Sequence, residues 1–146
     1  MREVETTQIE WLILADAAEV VNKKLYLMGG GWDKLIVNEL PYNLTMAAAL
    51  SILVPWTEAN IIRSFAIEIQ TADADRIAKM PGQFEVGRPP GARQGQPLRV
   101  QVALGVHLEL TGLGTYVVIA SVDGGEDQRF SFNVVAGPDL VIQQAS

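Results

Sequence analysis

The chain contains no cysteine. Disulfide scaffolds, thiolate nucleophiles and cysteine-ligated zinc or iron–sulfur sites are therefore excluded. There is a single histidine, His107, so every motif that needs two imidazoles is excluded as well, including the common zinc hydrolase sites. Basic residues are scarce: 11 Lys and Arg stand against 17 Asp and Glu, for a net charge of −6. A face that grips a phosphate backbone is hard to build from so few, and nucleic acid is not an expected partner. Long apolar runs are missing too. The longest, 44–56, is interrupted by Thr45, Ser51 and Pro55. It falls short of the roughly 20 residues a bilayer requires, so no membrane span is expected. Residues 1–7 are polar and acidic, without the basic and apolar regions of an export signal, which points to a cytoplasmic protein.

What is present reads as one sheet-rich domain over 1–146. Hydrophobic residues make up 49% of the 146 and charged residues 19%, enough apolar surface for a single core. From Leu98 to Leu110 every second residue is apolar: Leu98, Val100, Val102, Leu104, Val106, Leu108 and Leu110. Strict period-2 alternation predicts a strand with one buried face. Segment 44–54 alternates between Leu44, Met46, Ala48, Leu50, Ile52, Val54 and a small set, Thr45, Ala47, Ala49, Ser51. Pro41 and Pro55 bracket it, which favours a central strand over a helix; the small side would lie under another layer or a neighbouring subunit. Further strands are predicted around Ile9–Ala15, Leu25–Gly29, Phe65–Ile69, Tyr116–Val122 and Phe130–Val134. Asn22-Lys23 and Asp123-Gly124-Gly125-Glu126-Asp127 supply hairpin connections. Gly29-Gly30-Gly31 reads as a bulge or a strand end, because it leads into no helix and no phosphate-binding Gly-Lys-Thr. The sum is an all-β, antiparallel β-sandwich of about seven or eight strands. Residues 80–97, rich in proline and glycine, are expected to form one long loop, with a short edge strand at most around Phe84.

The stretch from Leu14-Ala15-Asp16-Ala17 to Lys24-Leu25-Tyr26-Leu27-Met28-Gly29-Gly30-Gly31-Trp32 resembles a bacterial family of small β-sandwich domains of unknown function. Pro41 before the next long strand and the closing hairpin from Gly114-Thr115-Tyr116 to Val122-Asp123-Gly124 extend the likeness over most of the chain. Asn22-Lys23-Lys24 departs from it where a glycine is expected before the lysine. The resemblance implies a β-sandwich from a bacterial or phage genome and transfers no functional residue.

No catalytic constellation emerges. His107 stands at a polar position of its strand near Glu109, and none of the serines sits in a nucleophile-like turn. Glu68 and Glu109 are carboxylates on solvent-facing positions, the wrong surroundings for a raised pKa and glycoside hydrolysis. An enzyme is not expected, nor a cofactor or a metal. Asp73, Asp75, Asp123, Glu126 and Asp127 would suit calcium if their two loops met. The candidate ligand-binding residues are Trp56, Arg88 and Arg93: the arginines flank Pro89-Pro90-Gly91 in the long loop, and Trp56 ends a strand. Trp32 and Tyr42 are candidate stacking platforms or core plugs. Leu12, Leu14, Val117, Ile119 and the tail Leu140-Val141-Ile142 fall opposite the core set. Apolar residues there point to a homo-oligomer or another protein as partner, with the tail adding a strand to a second subunit. The expected role is a non-catalytic protein-binding or self-assembling module; the alternative is a ligand-binding module for a carbohydrate or calcium.

Overall fold

The computed structural model describes residues 6–143. Nine strands follow one another: β1 (Gln8–Val21), β2 (Lys24–Gly30), β3 (Lys34–Leu40), β4 (Tyr42–Val54), β5 (Arg63–Thr71), β6 (Arg76–Phe84), β7 (Leu98–Leu110), β8 (Gly114–Val122) and β9 (Gly125–Ile142). They form two sheets, β2-β1-β4-β7 and β3-β9-β8-β5-β6. The fold is an all-β sandwich with one core between the sheets. Its most buried large side chains include Leu14, Leu50 and Ile52 from the first sheet and Ile67, Ile69 and Phe132 from the second. At one end Phe132 stacks on Tyr116 at 5.5 Å and meets Trp32 edge-on at 5.9 Å. The Tyr116 hydroxyl donates to the Gly112 carbonyl. Trp32 and Tyr42 pack against the core and so close its ends.

Local sequence explains most of the elements. Asn22 and Lys23 both take positive φ, 51° and 64°, as a type I′ turn requires. Asp123 and Gly124 do the same between β8 and β9. β4 is a strand despite its alanines. Proline brackets it, and it pairs with β1 on one side and β7 on the other.

The expected β-sandwich is present, with nine strands and one parallel pair, β3 with β9, among antiparallel ones. Three expectations are corrected. The tail does not wait for a second subunit: Val141 and Ile142 continue β9 and pair with Glu39 and Leu40 of the same chain. The long loop is shorter than its proline content suggests, because β6 runs through Pro81 to Phe84 as an edge strand and leaves only 85–97 irregular. Proline is tolerated there because an edge strand need not donate on its outer side. Lastly, Leu12 and Leu14 face the core, while Trp11 and Ile13 face outward. A register shift between Ile9 and Trp11 inserts Glu10 and reverses the phase of everything after it. Val117 and Ile119 do lie half-buried on the outer face, opposite Gln70 and Glu68.

The small side of β4 has a cover. β1 leaves β4 after Ala15, and its far half pairs with β2. Neighbouring strands lie about 4.8 Å apart, so strands separated by a third cannot touch within the plane of one sheet. Both strands of this hairpin nevertheless contact β7, and Val20 and Lys23 at its tip share a cleft with the first residues of β7. The hairpin therefore folds back across the outer face of β4. Ala47, Ala49 and Ser51 are buried beneath it; larger side chains would hold it off.

Candidate functional site

The tip of that hairpin, the start of the 85–97 loop and the first four residues of β7 enclose a cleft of about 600 Å³. Its lining combines Leu98 and Val100, which point toward the core, with Arg99 and Gln101, which point away. The cleft therefore lies at the 98–101 end of β7, the strand that ends its sheet. Lys23 stands on the hairpin side; Glu85 and Arg88 stand on the loop side.

Two of the three candidate ligand-binding residues meet each other, though only Arg88 lines the cleft. The Arg88 guanidinium lies 4.4 Å from the centre of the Trp56 ring and donates to the Trp56 carbonyl at 2.8 Å. A stacked arginine of this kind fixes the direction of the loop. It also covers one face of the indole. Arg93 lies elsewhere in the loop: its backbone N–H donates to the Gln96 side chain, and it does not line the cleft.

Arg99 grips Glu10 through two hydrogen bonds of 2.9 and 2.7 Å, and Ser51 donates to the same carboxylate at 3.0 Å. The guanidinium of Arg99 holds the Glu10 carboxyl below its ordinary range, against an opposing effect of burial. Glu10 is the bulge residue of β1, so its role could not be read from an alternation it interrupts. Beside this pair the Gln101 Oε1 is buried and has no hydrogen-bond partner among the described residues.

The other candidates fall outside the cleft. His107 is exposed, with Nδ1 3.3 Å from the Thr45 hydroxyl. The two acidic loops do not meet. Thr71 pairs with Tyr116 while Phe65 pairs with Val122, so Asp73 and Asp75 lie at one end of the second sheet and Asp123 and Glu126 at the other. Asp123 is occupied differently: it accepts from Arg63 at 2.7 Å and from the Ser64 N–H at 3.1 Å. Arg63 first, then that N–H, lower its pKa. Among the described residues no three His, Asp or Glu side chains gather as a metal site would require. A larger concavity, about 780 Å³, lies on the outer face of the second sheet over Ala66 and Ile119. Its charged groups are already matched, Glu68 with Lys79 and Arg76, and Glu126 with Arg129.

Among the described residues no helix is long and apolar enough to cross a membrane. A search of curated proteins returns no match. The family comparison does, and it spans seven of the nine strands in full and most of β1 and β9, together with the cleft: residues 10–135 match the profile of DUF6941, a family of unknown function, and the chain belongs to that family.

Proposed function

We propose that this protein is a non-catalytic, cytoplasmic module of a bacterial cell that works by self-association, using the open edge of β7 as its contact. One observation carries the reading. β7 ends its sheet and offers thirteen residues in unbroken register, from Leu98 opposite Val54 to Leu110 opposite Tyr42. A long, regular, apolar edge is a template for another strand, and folded proteins normally blunt such edges. The other three ends of the sheets carry blunting. β6 contains Pro81 and Gly82. β3 has seven residues and a register shift between Val37 and Glu39. β2 has seven residues and ends in two glycines. β7 has no proline and no register shift, its single glycine, Gly105, leaves the pairing unbroken, and Val100, Val102, Leu104 and Leu108 along it remain only half-buried.

The test is the solution mass by light scattering across a tenfold dilution. A stable multiple of the 15.9 kDa chain is the expected result. A monomer at every concentration rules the reading out. Against the calcium alternative, the two acidic loops lie at opposite ends of the second sheet.

A further inference from the structure

The outward residues of β7 read Arg99, Gln101, Ala103, Gly105, His107, Glu109. The order is complementary to itself when reversed. If a second β7 runs antiparallel with the two Leu104 residues opposite each other, Arg99 faces Glu109, Gln101 faces His107, and Ala103 faces Gly105. On the core side Val100 faces Leu108 and Val102 faces Val106. A shift by one pair in either direction loses the Arg–Glu match: Arg99 would then face His107 or Thr111. Opposite charges and hydrogen-bonding pairs directly across two strands favour the pairing, and like charges oppose it.

We infer that the partner of the β7 edge is a second copy of this chain, paired antiparallel about Leu104, so that the two four-stranded sheets join into one of eight strands. The inference rests on the reading of the protein as a self-associating module and names its contact. Two-fold symmetry makes every match occur twice, as a closed dimer requires. Three features of the cleft fit this occupant. The cleft lies at the 98–101 end of β7, where residues 107–110 of the second copy arrive. Glu109 of the second copy then comes beside Arg99, with Lys23 and Arg88 on either side of the groove. Gln101, whose Oε1 is buried and has no partner among the described residues, comes opposite His107 of the second copy, a ring that carries an N–H donor. Glu109 itself is exposed and forms no salt bridge among the described residues. Lys23 holds a positive φ, a conformation that a lysine adopts at a cost, at the place where the groove needs a cation.

Charge reversal tests the register. Glu109→Arg sets two guanidinium groups against each other at both symmetry-related contacts, and Arg99→Glu sets two carboxylates against each other there. Each variant alone is expected to weaken the dimer by about tenfold or more. Mixed together they are expected to form a one-to-one heterodimer, in which one contact keeps its native Arg–Glu pair and the other holds the same pair with the two positions exchanged, so that neither contact repels. The doubly substituted chain regains the homodimer, since both of its contacts are again opposite in charge. Circular dichroism and the melting temperature check that each variant folds. A second measurement does not depend on Arg99, which also holds Glu10. The chain has no cysteine, so Leu104→Cys provides a single thiol at the symmetry axis. A short bis-maleimide links it to itself in high yield, whereas Glu109→Cys, about 33 Å from its own mate at the spacing of a strand, stays unlinked. A wild-type dimer that ignores both charge reversals and links equally at 104 and 109 overturns the register and leaves self-association standing. A wild-type monomer overturns both.

Discussion

β6 and β7 are joined by one loop, and they meet solvent in opposite ways. β6 closes its sheet with Pro81, which has no N–H to offer, and Gly82, which has no side chain. The missing side chain has a further use. A Cβ on Gly82 would stand 2.3 Å from the Phe65 ring, so the glycine is what lets that ring lie across the strand and reach Phe84 at 6.2 Å. β6 is thus finished within the chain. β7 keeps full alternation, full register and half-buried valines, and nothing among the described residues pairs with its outer edge. The contrast is the observation on which the proposed pairing of β7 with a second strand rests.

The comparison can be broken from either side. The largest effect on folding is expected at β6. Gly82→Ala forces the Phe65 ring from its place and should cost about 1–3 kcal/mol, read as a lower urea midpoint. At β7 the larger effect is on assembly. Val102→Lys puts an inward-pointing charge on the edge, the device that natural sheets use to prevent pairing. The mass should fall to 15.9 kDa, with a folding loss smaller than that of Gly82→Ala.

A lesser effect belongs to Asp123, which ties the start of β5 to the β8–β9 turn. Its pKa lies below the ordinary carboxylate value in the folded chain. The stability it adds is therefore fully present above the unfolded value, about 4, and is lost as the pH falls through the lower folded value. The side chain is 43% exposed, so screening keeps the contribution below about 1 kcal/mol. Asp123→Asn should flatten that part of the acid melting curve. The smallest effect is at the hairpin tip: Lys23→Gly relieves a positive φ of 64° and should stabilise by a few tenths to about 1 kcal/mol. It should also weaken the dimer slightly by removing a cation from the groove.

Much of this molecule was legible in the sequence because strands advertise themselves locally. The alternation from Leu98 to Leu110 marks both ends of β7, Asn22-Lys23 marks its turn, and the run from Asp123 to Asp127 contains the turn at Asp123-Gly124. The phase of β1 was not legible. Ile9, Trp11, Ile13 and Ala15 alternate well, and the extra residue at Glu10 becomes visible only through its partners Ser51 and Arg99, 41 and 89 positions away. The contact of Arg88 with Trp56 was hidden for a similar reason, since a whole hairpin separates them in the chain. Small residues on one side of β4 announced a covering layer, but not that the layer is the chain's own β1–β2 hairpin. Local rules reach pattern and turn chemistry; a bulge, a crossing or a distant cation depends on which strands become neighbours.

The parallel pairing of β3 with β9 also bears on the order of folding. Lys34 finds its partner at Asn133 and Leu40 at Ile142, so this ladder closes a loop of about a hundred residues, among the slowest kinds of contact to form. On a ribosome β3 emerges early and must wait for nearly the whole domain to be synthesised. Until then the apolar Leu35, Ile36 and Val37 lie beside an unfilled place in their sheet. Amide exchange should find β3 the last strand to gain protection during refolding and among the first to lose it.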